Sequence, residues 1–108
     1  MKHILFDLKK CSPELLNDEN FIKESLKEAA KAAKCDILKI ETHKFEPQGI
    51  TGYALLSESH MSIHTWPEKG VAKCDIFTCS DKNDPIAAIE YLTEKFETIH
   101  LYKWSCDR

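Results

Sequence analysis

The chain has 108 residues, 43% of them hydrophobic and 31% charged, with a net charge of −3. That describes one globular domain with a modest core and excludes a disordered chain. No basic stripe with interleaved aromatics argues for nucleic acid, and no apolar run is long enough to span a bilayer.

The first element is "HILFDL", a short apolar strand. The opening "MKHILFDLKKC" has neither the apolar stretch nor the cleavage site of a secretory signal, so a cytoplasmic protein is expected. "CSPELLNDEN" reads as turn and loop. A helix follows from about Glu19 to Lys34, with Phe21, Ile22, Ser25, Leu26, Ala29, Ala30 and Ala33 on one face. Asn17 or Asp18 supplies its cap. "CDILKIETHKF" alternates Leu38, Ile40 and Thr42 against Lys39, Glu41 and His43, a half-buried strand. "EPQG" is a turn and "ITGYALL" a strand. "HMSIHTW" alternates Met61, Ile63 and Thr65 against His60, Ser62, His64 and Trp66. "PEKG" is a tight turn and "VAKCDIFTC" a strand. Asp84 and Pro85 open a second helix running to about Glu97, with Ile86, Ile89, Leu92 and Phe96 inward. "IHLYKW" is the last strand. The expected fold is α/β, a two-layer sandwich over residues 1–108, with two helices on one face of a mainly antiparallel sheet. Its element order is read as β-α-β-β-β-α-β. The other face is left to solvent or to a partner.

The middle of the chain, "LLSESHMSIHTWPE", concentrates histidines and serines where a half-buried strand belongs. If "PEKG" closes a tight hairpin, Trp66 opposes Val71 and opposed positions sum to about 137. Cys79 then falls opposite Glu58, beside the Glu58–Ser59 peptide bond. Ser59 and His64 point to opposite faces of a regular strand, so a bend near Ser59 is needed for them to meet. Taken singly, each of these residues reads as core filler or as a solvated polar group. His60 and His64 stand about 13 Å apart on a strand, too far to share one ion, and no metal is expected. The five cysteines are odd in number and form no CxxC pair, so free, mostly buried thiols are expected.

"SESHMSIHTWPE" followed by "CDIFTC" resembles the prokaryotic S-adenosylmethionine decarboxylase proenzymes. "HKFEPQGITG" and "FDLKKCSPELL" extend the resemblance over nearly the whole chain. It implies a self-processing, pyruvoyl-dependent enzyme that cuts itself between Glu58 and Ser59 into residues 1–58 and 59–108. Ser59 is then the nucleophile and the source of the pyruvoyl group, and His64 the base. Thr51 stands where the family has a serine that assists processing. Cys79 is implied as the proton donor in turnover. Phe45 and Trp66 are implied as adenine contacts and Glu68 as the ribose ligand. The resemblance also implies S-adenosylmethionine as substrate and a homodimer with its sites near the interface.

Two rivals remain at this stage: a pyruvoyl-dependent decarboxylase of arginine or ornithine on the same scaffold, and an unprocessed, non-catalytic homologue. One departure is plain. Where the family often reads Asp-Leu-Tyr-Gly-Cys, this chain has Asp7, Leu8, Lys9, Lys10 and Cys11.

Overall fold

The computed structural model describes all of Met1–Arg108. In chain order it contains β1 (Lys2–Lys9), α1 (Pro13–Leu16), α2 (Glu19–Ala32), β2 (Ile37–Lys44), β3 (Ile50–Leu56), β4 (Ser59–Trp66), β5 (Val71–Thr78), α3 (Pro85–Lys95) and β6 (His100–Asp107). The strands form one sheet in the order β2-β3-β4-β5-β1-β6, every neighbouring pair antiparallel. β2 to β5 form a meander, and β1 inserts between β5 and β6.

The two-layer α/β architecture is the one expected, but the element order β-α-β-β-β-α-β is one strand short. Four strands, β2 to β5, lie between α2 and α3; they are the four segments read there from the sequence, which that order counts as three. A third helix also appears inside "CSPELLNDEN". Pro13 opens the four-residue α1, where its missing N–H costs nothing.

Local chemistry explains the longer helices. The Asp18 carboxylate accepts from the Phe21 amide at 3.0 Å and starts α2. Asp84 does the same for α3 through Ala87 at 3.1 Å, with Pro85 at the first position. α2 lays Ile22, Leu26, Ala29 and Ala30 on the sheet, and α3 adds Ala88, Ile89 and Leu92. Gly52 lets α2 lie close: a Cβ there would meet Leu26 Cδ1 at 3.1 Å.

The strands answer with alternate residues, among them Phe6, Ala54, Met61, Ile63 and Ile76, all buried. Burying each of the larger ones contributes roughly 1.5–3 kcal/mol. The opposite face of the sheet carries no helix.

Two expected core positions lie outside it. Leu38 is 65% exposed because β2 bulges between Ile37 and Lys39, which turns the extra residue outward. Ile86, in the first turn of α3, lies at the rim of a cavity instead of under the helix.

Candidate processing and substrate site

β4 organises the site, and the predicted residues gather at its two ends. At its start, Leu56 pairs with Ser59 across a two-residue loop, Ser57–Glu58. Hairpin loops of this length favour glycine or asparagine where φ is positive. Here Glu58 holds φ 73° with a full side chain, a conformation that costs a non-glycine residue roughly 1–2 kcal/mol. The strained residue immediately precedes the Glu58–Ser59 bond. Ser59 follows with its Oγ buried and hydrogen-bonded to nothing. A buried hydroxyl without a partner is uncommon and calls for an explanation.

The register of β4 and β5 runs from Trp66↔Val71 to His60↔Phe77 without a slip, as the hairpin reading requires. The observed pairing ends there, two steps short of Glu58 and Cys79. Cys79 is half-buried and lines a cavity of about 280 Å³ with Thr78, Ser80 and Ile86. Burial pushes the Cys11 thiol up to about 11 and also raises Cys35 and Cys74, so these three thiols stay protonated. Cys106 is exposed.

At the far end of β4, Phe45, Thr51, His64, Trp66 and Glu68 line one cavity of about 320 Å³. Thr51 and His64 oppose each other across β3 and β4. Their Oγ1 and Nδ1 atoms are hydrogen-bonded at 3.0 Å. Glu68 reaches the cavity from the 3-10 turn Pro67–Lys69, which Gly70 closes at φ 65°. His43 packs edge-on against Phe45, with ring centroids 4.6 Å apart.

The two groups do not meet within one chain. β4 is continuous from Ser59 to Trp66, so the expected bend near Ser59 is absent. Five residues of extended strand separate Ser59 from His64 by roughly 16 Å. The two positions also differ in parity along β4: Ser59 Oγ is buried, while His64 is on the open face between buried Ile63 and buried Thr65.

The open face also holds a cluster that sequence reasoning did not find. His3, His60 and Ser62 converge on Asp75, with each histidine Nε2 at 2.8 Å from Asp75 Oδ2. Burial acts to raise the Asp75 carboxyl. The hydrogen bonds from Ser62, His3 and His60 outweigh it and hold the group below its ordinary value. Alternation put His60 and Ser62 on this face, but only the pairing of β1 with β5 brings His3 there.

Fold and site together define a class: an α/β sandwich with an unpartnered serine at a strained hairpin and an aromatic, carboxylate-bearing cavity at the other end of the same strand. A family model described as S-adenosylmethionine decarboxylase matches residues 2–108. The chain belongs to the S-adenosylmethionine decarboxylase family.

An S-adenosylmethionine decarboxylase proenzyme of Prochlorococcus marinus (strain MIT 9313) is 50% identical over 94 residues, which are 87% of this chain and 75% of that protein. The proenzyme of the same name from Moorella thermoacetica is 42% identical over 107 residues, 99% of this chain and 86% of that one. The crystal structure of the adenosylmethionine decarboxylase from Aquifex aeolicus VF5 superposes with a TM-score of 0.90 at 34% identity. The match covers 99% of this chain and 88% of that one.

Proposed function

We propose that this chain is a self-processing decarboxylase of S-adenosylmethionine, supplying the aminopropyl donor for spermidine synthesis from a cytoplasmic homodimer. The observation that carries the reading is the orphaned Ser59 Oγ directly after left-handed Glu58. No helix is long and apolar enough to cross a membrane, and all five cysteines are unpaired, which suits a reducing compartment.

Processing needs a nucleophile, a base and a strained bond. Ser59 Oγ adds to the Glu58 carbonyl carbon, and the amide becomes an ester as the C–N bond breaks. Loss of the Ser59 Cα proton then expels residues 1–58 as a carboxylate. The dehydroalanine left at position 59 takes up water and loses ammonia, leaving a pyruvoyl end on residues 59–108. His64 is the base, suited to it by an imidazole's pKa near neutrality. In the tautomer with the hydrogen on Nδ1, that N–H donates to Thr51 Oγ1 and Nε2 is free to accept the proton. The threonine thus keeps the hydroxyl function of the family serine.

Residues at both ends of β4 fit such a group and its substrate. A pyruvoyl group at position 59 would supply a carbonyl for imine formation with the substrate amine and an electron sink for decarboxylation. Phe45 and Trp66 hold the adenine, and the Glu68 carboxylate accepts hydrogen bonds from the ribose hydroxyls. Cys79, beside position 59, returns a proton to the carbon that lost carbon dioxide.

Because some 16 Å of strand divides Ser59 from His64, the site is completed by a second copy across the open face. A two-fold axis sets the start of one β4 against the end of the other and forms two equivalent sites. The aromatic and carboxylate cavity favours an adenosine substrate over arginine or ornithine.

Intact mass after purification tests the reading. Two fragments, residues 1–58 and 59–108, are expected, the second with a blocked pyruvoyl end. A single uncut chain after long incubation overturns it. Carbon dioxide release compared among S-adenosylmethionine, arginine and ornithine then decides the substrate.

A further inference from the structure

The chemistry that processing and turnover leave unused lies on the open face. His3 of β1 and His60 of β4 flank Phe77 of β5 in one cross-strand row. Both imidazoles lean past it to the same carboxylate oxygen, Asp75 Oδ2, at 2.8 Å each. The other oxygen of Asp75 accepts from Ser62 Oγ. The three converging donor atoms all lie within 4.8 Å of one another. Their side chains are 24%, 40% and 20% exposed for His3, His60 and Asp75, so the cluster is neither sealed nor free to splay.

We propose that His3, His60 and Asp75 bind one transition-metal dication of the zinc type per chain. Two imidazole nitrogens and one carboxylate oxygen suit Zn²⁺ or Co²⁺; Mg²⁺ and Ca²⁺ require oxygen-rich cages. An ion about 2.0–2.1 Å from each donor sets tetrahedral donors roughly 3.3 Å apart. The 2.8 Å contacts must open by about half an ångström, which small side-chain rotations supply. On binding, each neutral imidazole takes the tautomer with its hydrogen on Nδ1, so that the Nε2 lone pair faces the ion.

Ser62 holds Asp75 by Oδ1 and so fixes Oδ2 toward the ion, the usual work of a hydrogen bond behind a metal ligand. The Phe77 ring lies 5.3 Å from the His3 ring and 6.3 Å from the His60 ring, and it limits how far either can swing. His64 and Cys74 take no part: His64 is bonded to Thr51, and Cys74 is buried. The ion ties β1 to the start of β4, and the site forms whether or not the chain is cut.

The test is Co²⁺ titration of chelator-treated full-length protein, followed by visible d–d absorption. A saturable band reaching one Co²⁺ per chain and displaced by Zn²⁺ is expected. It should disappear in His3→Ala and in Asp75→Asn, and persist in His100→Ala, which removes a histidine outside the cluster. Zn²⁺ should raise the Tm of the parent chain and leave that of His3→Ala unchanged; His3→Gln serves if the alanine variant folds poorly. No saturable band, or a band that survives both His3→Ala and Asp75→Asn, overturns the proposal. So does a band accompanied by thiolate charge transfer and unchanged in His3→Ala, since the ion then sits on cysteine.

Discussion

Ile63 and His64 are neighbours on β4 with opposite surroundings. Ile63 is 1% exposed under the helices, while His64 stands on the uncovered face bonded to Thr51. The division holds along the strand: Met61, Ile63 and Thr65 are buried, and His60, Ser62 and His64 face outward. A strand that alternates side chains gives one face to the core and leaves the other for chemistry. Ser59 breaks this division. It shares the inward parity yet offers an unpartnered hydroxyl at the point where the chain turns. The exception falls at the bond proposed to break.

The largest expected effect tests that exception. Ser59→Ala should give one uncut chain by intact mass and no carbon dioxide release. Next come the two ends of β4. Cys79→Ala and Glu68→Ala should each lower kcat/KM by about 10²-fold or more, the usual scale for losing a positioned proton donor or a substrate anchor. If sites form between copies, mixing the two variants under subunit exchange should restore about a quarter of the parental activity, one intact site in half of the dimers. No recovery would place each site within one chain.

The adjacent pair comes third. Ile63→Ala should cost about 2–5 kcal/mol in denaturant unfolding and leave processing intact. His64→Ala should change stability by about 0.5 kcal/mol or less and stop cleavage. The reverse pattern would break the division between faces.

Smaller still is the acid limb of stability. The Asp75 carboxyl is held below its ordinary value in the folded chain. Its contribution is therefore present above the unfolded value of about 3.9 and is lost as pH falls through the folded value. In chelator, Asp75→Asn should unfold with a flatter acid dependence, and its stability deficit against the parent should close in that range.

The smallest effect concerns Lys10. It holds φ 57°, so the left-handed backbone that the family's glycine suits is kept here by a lysine. Lys10→Gly should raise stability by about 0.5–1 kcal/mol in the same denaturant assay.

Much of this was legible in the residues. Alternation separated Met61 and Ile63 from His60 and His64. The Asp84–Pro85 pair marked the start of α3, and the turn at Pro67–Gly70 set the β4–β5 register from Trp66↔Val71 to His60↔Phe77. Where local patterns misled, a nearby irregularity was responsible. One bulge turned Leu38 outward.

By itself the sequence determined the elements, the caps, the hairpin register and, through its resemblance, the family. These rest on contacts between residues near in the chain, where side-chain period and turn chemistry dominate. Only the tertiary structure decided that β1 lies between β5 and β6, bringing His3 to Asp75 across 72 positions of chain. It also decided that β4 runs unbroken and keeps Ser59 apart from His64. Strand order and strand continuity are settled by burial of the whole inner face against α2 and α3, a balance that no local stretch of sequence expresses.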